Sequence, residues 1–166
     1  MGTFAVQIAA ALGSGVWVTT SSREKLHRLI GLGARDGVLY TDGDWSEQLR
    51  AKVRDGFDAA IDSWGGPGWQ SILPTIKWGG VLVNYGDTAQ ETATITVSDV
   101  YWAWRSIMGT TMGSPEEYRA LLGHVATASW SPAIDSVFTL SDIEAAAGRL
   151  TEPARFGKVV LTTKGS

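Results

Sequence analysis

The 166-residue chain contains no cysteine. Disulfides and thiolate chemistry are therefore excluded, and the composition fits a reducing compartment. Histidine is almost as scarce. His27 and His124 stand far apart, each within a helical pattern, so a zinc constellation has no donors to draw on. Ser63 and Ser71 lie outside any G-x-S-x-G context and have no obvious histidine partner, which leaves a hydrolase triad unsupported. No apolar run approaches the ~20 residues of a membrane span. The N-terminus lacks the basic region and cleavage site of a secretory signal. Net charge is −3 without a basic cluster, so nucleic-acid binding has no electrostatic support. We expect a cytoplasmic protein with neither nucleic acid nor membrane as partner.

What is present is the composition of an ordinary globular domain, 44% hydrophobic and 19% charged. Eight tryptophans are many for this length and read as core or interface bulk. Helical and strand-like segments alternate. Residues 3–12 predict a helix that is apolar nearly all round and therefore buried, ended by Gly13 to Gly15. Val16 to Thr20 predicts a strand. "SSREKLHRLIGLG" follows as a helix with Ser21 as N-cap, Glu24 completing a capping box, and Gly31 or Gly33 as the stop. Strands at Gly37–Thr41, at Phe57–Asp62 and within "GGVLVNYGD" alternate with a short helix in "DWSEQLRAKV" and a weak one broken by Pro74. A helical turn over Asp99–Arg105 leads into a strand, "SIMGTTMG". Ser114, Pro115 and Glu117 then mark a strong helix start. After Trp130 come a short strand, a helix capped by Ser141 with Glu144, and a closing strand, "GKVVLTT".

Such alternation implies βαβ units and a mainly parallel sheet covered on both faces. Ligands of these sheets bind beyond the carboxyl ends of the strands. Where a dinucleotide fold places an acid for the ribose 2′-hydroxyl, this chain has Thr20 and Ser21, followed by Ser22, Arg23 and Lys25. Hydroxyls and cations accept a 2′-phosphate that an acid would repel, and a helix N-terminus favours anions. The same residues read equally as a capped helix start with a solvated lysine. Asp62 to Gly66 and Tyr85 to Asp87 sit at two successive strand ends, where glycines admit a ligand close to the backbone or simply make tight turns.

Five segments in order, "GTFAVQIAAALG", "VWVTTSSREKLHRLIGLGARDGVLYTDGDW", "FDAAIDSWGGPGWQSILPTIKWGGVLVNYGD", "SIMGTTMGSPEEYRALL" and "FGKVVLTTKG", resemble the medium-chain dehydrogenase/reductase superfamily. The nearest groups are the zinc-type alcohol-dehydrogenase-like and quinone-oxidoreductase-like ones. The resemblance implies a Rossmann-type doubly wound parallel sheet over residues 1–130, lacking its first strand. Residues 131–166 would be a return segment of the catalytic domain. In the glycine motif G-x-G-G-V-G-T-F-A-V-Q, Gly2 matches the last glycine. Lys25 matches the lysine that holds the 2′-phosphate of NADPH, and Tyr40 the tyrosine stacked near it. Tyr85, Gly86 and Asp87 match the turn that passes the nicotinamide ribose. Phe156, Gly157 and Lys158 match a segment that closes over the cofactor. The resemblance thus implies NADP(H) rather than NAD(H), with hydride moving to or from a carbonyl, alcohol or activated alkene. It carries over no catalytic residue, because zinc ligands, where the family has them, come mainly from the N-terminal domain. It also implies a homodimer through an edge strand at Ser106–Met112.

On the same grounds the chain is expected to be truncated, beginning one residue before the last motif glycine; a valine codon used as a start would give such an N-terminus. A strand is ~5–6 residues and each buried apolar side chain contributes ~1.5–3 kcal/mol. Losing one costs on the order of 10 kcal/mol, against a whole-domain stability of ~5–15 kcal/mol. The expectation is a chain that is unstable as a lone monomer and inactive by itself. Two other readings remain at this level. One is an S-adenosylmethionine-dependent methyltransferase, for which "FDAAIDSWGG" and "GGVLV" fit but the ribose-binding acid is absent. The other is a non-catalytic binding or assembly module.

Overall fold

The computed structural model describes residues 1–128 and 130–163. The elements in chain order are α1 (Gly2–Ala11), β1 (Trp17–Thr20), α2 (Arg23–Gly31), β2 (Asp36–Leu39), α3 (Trp45–Lys52), β3 (Phe57–Asp62) and α4 (Gly68–Ile72). They continue with a 3₁₀ turn (Leu73–Thr75), β4 (Ile76–Asn84), α5 (Val97–Tyr101), β5 (Ser106–Gly109) and α6 (Pro115–Thr127). A final βαβ follows: β6 (Ile134–Thr139), a second 3₁₀ turn (Leu140–Asp142), α7 (Ile143–Thr151) and β7 (Lys158–Thr162). None of the described helices is long and apolar enough to cross a membrane. The chain divides into two compact units, Met1–Leu39 with Leu121–Ser166, and Tyr40–Ala120.

The first unit joins the two ends of the chain. β1 and β2 pair in parallel from Trp17↔Asp36 to Thr20↔Leu39. α1 ends in a Schellman turn: Gly13 N–H donates to the Ala10 carbonyl and Ser14 N–H to that of Ala9, with Gly13 at φ +82°. The helix is not buried all round as its composition predicts. Val6 and Gln7 are buried while Ala11 and Leu12 are exposed, because the unit offers this helix a single packing face. α2 begins one residue later than its capping signal suggests. Ser22, in extended conformation, is the N-cap and its Oγ accepts the Lys25 N–H at 3.3 Å. Lys25 rather than Glu24 therefore stands third in the helix, and no Ser21–Glu24 box forms. Gly33 is required where α2 comes down on α1: a Cβ there would stand 2.7 Å from that of Ala10. β6 and β7 form a second parallel pair around α7. Here too the Ser141–Glu144 box is absent, since the 3₁₀ turn puts Asp142 next to the helix and turns Ser141 Oγ toward Thr139 Oγ1, 2.6 Å away.

Val6, Leu29, Ala34 and Phe156 make the core of this unit, with Val16, Val18, Leu32 and Ala133 packed against it. Phe156 and Ala133 come from the segment after Trp130, and burying the phenyl ring removes its apolar area from water.

The second unit is a three-stranded parallel sheet, β3-β4-β5, with β5 on the edge. Its core is Leu73, Ile76 and Leu82, each at most 1% exposed. The predicted capping box opens α6, with Glu117 N–H donating to Ser114 Oγ at 3.2 Å and Ser114 N–H to Glu117 Oε2 at 2.7 Å. β3 is less covered than its apolar sequence predicts: Ile61 is 58% exposed.

Candidate functional site

The turn from β1 into α2 carries the first group of candidate residues. Thr20 closes the strand and is buried, Ser21 and Ser22 are half-buried, and Arg23 is exposed. The extended backbone of Ser22 turns the chain into the helix, and its cap uses one N–H of the first turn. Lys25 does not extend freely into solvent. Its Nζ donates to the carbonyl of Pro153, in the loop between α7 and β7, at 2.5 Å. One turn on, the Arg28 guanidinium stacks 4.0 Å from the centre of the Phe156 ring. Two cations, Arg23 and Lys25, thus flank the helix start without an acid in the N-cap position; Glu24 is the single acid of the first turn.

At the start of α1, Gly2 is exposed. Lys158 holds its ammonium 5.5 Å from the centre of the Phe4 ring. The Met1 amino group has a lowered pKa, through burial first and then the positive charges of Lys158 and Arg155. The last unit-one group is the Phe156-Gly157-Lys158 segment. Phe156 is a core residue, 6% exposed, and Gly157 takes φ +110°. Lys158 is the exposed side chain of the three.

In the second unit, the loops after β3 and β4 are tied together by Asp62. Its carboxylate accepts from Trp64 N–H at 3.1 Å, Gly65 N–H at 2.8 Å and the indole N–H of Trp69 at 2.9 Å. The Tyr85 N–H donates to the Asp62 carbonyl at 3.0 Å, and the Asn84 amide donates to the Gly86 carbonyl at 2.8 Å. Ser63's carbonyl accepts both the N–H and the hydroxyl of Thr88. Gly86 is needed at this join, since a Cβ there would meet Ser63's carbonyl oxygen at 3.0 Å. Tyr85 is half-buried and Asp87 exposed. Tyr40, at the start of this unit, is 51% exposed.

Sequence reasoning places Asp62 at a strand end without making it the hub. An Asp two and three residues before the N–H groups it accepts is an Asx-turn signal. The bonds from Trp69 and the Lys25–Pro153 contact have no such local signature.

No three of the His, Asp and Glu side chains converge among the described residues, and there is no cysteine.

Parallel βαβ ladders with tightly built loops beyond the strand ends are the architecture of a Rossmann-type α/β domain. The zinc-binding dehydrogenase family matches residues 1–127, and the chain belongs to that family. The zinc-type alcohol dehydrogenase-like protein YogA of Leptosphaeria maculans is 33% identical over 89% of this chain and 42% of its own length. The zinc-type alcohol dehydrogenase-like protein C1773.06c of Schizosaccharomyces pombe is 28% identical over 96% of this chain and 48% of its own. The crystal structure of an NAD-dependent alcohol dehydrogenase superposes with a TM-score of 0.86 at 28% identity, covering 98% of this chain and 48% of that one. The chain spans about half the length of the relatives it matches.

Proposed function

We propose that this chain is the cofactor-holding portion of an NADP(H)-dependent oxidoreductase that moves hydride to or from a carbonyl, alcohol or activated alkene. The observation that carries the reading is the turn into α2. Its ribose-facing position lacks an acid, and Ser22, Arg23 and Lys25 surround a capped helix start with Lys25 held in place. These residues would take the 2′-phosphate, and Gly2 with the start of α1 the pyrophosphate. Lys158 would lie over the cofactor, Tyr40 would stack beside the adenosine end, and Tyr85, Gly86 and Asp87 would line the ribose next to the nicotinamide. The cofactor supplies the hydride chemistry; the protein's share is to bind and orient it. The position of β5 at the sheet edge supports pairing of two copies along Ser106–Met112.

Titration of the chain with NADPH, NADH and S-adenosylmethionine tests the reading. We expect NADPH to bind most tightly, with Lys25→Met weakening it about tenfold or more and leaving NADH unchanged, in line with loss of a charge-assisted hydrogen bond worth roughly 1.5–3 kcal/mol. Equal affinity for the two nicotinamide cofactors sinks the NADP assignment, and no binding of either sinks the cofactor role of this chain.

A further inference from the structure

The loop over residues 152–157 crosses the start of α2 and is stitched to it at two successive turns. Lys25 donates to the Pro153 carbonyl, and Arg28, three residues on along the same helix face, covers Phe156. Behind this contact the loop is fixed. The Phe156 N–H donates to Asp135 Oδ1 at 2.8 Å, and its ring is buried with Val6, Leu29 and Ala34. Arg149 forks onto the same carboxylate, Nε to Oδ2 at 2.6 Å and Nη2 to Oδ1 at 2.9 Å, and the Asp135 side chain is 2% exposed. Arg155 ties the loop to the end of α7 and to its own far side, donating to the carbonyls of Leu150 and Gly157, each at 3.1 Å. Proline restricts its own backbone as well.

A lysine is a flexible stem ending in a compact ammonium with three donors. Holding it on a neutral carbonyl uses one donor and leaves its charge and two N–H directions for an anion. The ordering cost of the side chain is then met before the ligand arrives, and affinity rises accordingly.

We propose that this loop is a positioning element for the 2′-phosphate site: the Pro153 carbonyl presets Lys25, so that discrimination between phosphorylated and unphosphorylated adenosine ribose is set by the C-terminal part of the chain. The inference rests on the NADP reading above and names what fixes the specificity of that site.

The test compares 2′,5′-ADP with 5′-AMP by calorimetric titration of the whole chain. In the parent, 2′,5′-ADP binds more tightly. Pro153→Gly, which loosens the loop while leaving a carbonyl, lowers the ratio of the two affinities about threefold to tenfold and leaves 5′-AMP unchanged, as expected for one side chain that must now be ordered on binding. In the Lys25→Met background the same change has no further effect on the ratio. A thermal melt of each variant reports whether it folds, and Phe156→Leu, which keeps the core apolar but removes the ring beneath Arg28, provides a second way of freeing the loop. Equal weakening of both ligands, an effect that persists without Lys25, or an unchanged ratio in both loop variants overturns the inference and leaves the NADP reading standing. Failure of 2′,5′-ADP to bind the parent chain overturns the two together.

Discussion

The two units bury their cores in different ways. Leu73, Ile76 and Leu82 come from one stretch of chain, a 3₁₀ turn running into β4, and are essentially inaccessible to water. Val6, Leu29, Ala34 and Phe156 come from both ends of the chain and are slightly less covered, 5–8% exposed. Closing a long loop costs conformational entropy that a local core does not incur. The first unit offsets this with directional contacts: the Arg149 fork onto Asp135, the Phe156 N–H on the same carboxylate, and Arg28 over the Phe156 ring. The same contacts hold the loop against α2. In this chain the stability of the first unit and the shape of its candidate anion site depend on one set of residues.

Three measurements would break or sharpen that contrast. The largest effect is expected from Phe156→Ala, which removes the ring shared by the core and the cation–π contact while keeping the backbone N–H on Asp135. We expect a loss of about 4 kcal/mol, read by denaturant unfolding, with hydrogen-exchange protection lost in β1, β2, β6 and β7. Equal loss in β3, β4 and β5 would show the two cores to be one cooperative structure. Leu82→Ala is the counterpart, at about 3 kcal/mol for a fully buried leucine. Its effect should fall on the protection of β3–β5, and protection lost first in β6 and β7 would contradict the division.

The third measurement concerns acid. The hydrogen bonds from Arg149, and next the one from the Phe156 N–H, hold the Asp135 carboxyl well below the usual carboxylate range. A carboxyl depressed in the folded state stabilises it fully above its unfolded pKa of ~3.9. That contribution is lost as pH falls from there toward the folded value. Asp135→Asn should therefore cost about 2–3 kcal/mol at neutral pH, at or below the low end for a broken buried pair because Arg149 is a quarter exposed. It should also flatten the decline of stability between pH ~4 and ~2. An unchanged acid slope in the variant would remove Asp135 as the clamp of the first unit.

Much of the architecture is legible from local pattern. The Ser114–Glu117 box forms as its i, i+3 spacing predicts, and the span of β3 is the predicted one, because both depend on neighbours in sequence. α2 starts one residue beyond the point predicted from Ser21, since either of two consecutive serines can cap a helix. The direction of the chain leaving β1 decides between them. Asp62's bonds to Trp64 and Gly65 are local and readable, whereas its bond to the Trp69 indole is not.

The sequence by itself determined the alternation of strands and helices, the family, and the acid-free turn into α2, because each is written in residue type at short range. Tertiary structure decided what Lys25 and Phe156 do. Their partners, the Pro153 carbonyl and the Arg28 guanidinium, lie more than a hundred residues away along the chain, and a contact across that distance leaves no periodicity in the sequence. Only the folded chain, in which burying the Phe156 ring draws the C-terminal loop onto α2, brings a backbone carbonyl to Lys25.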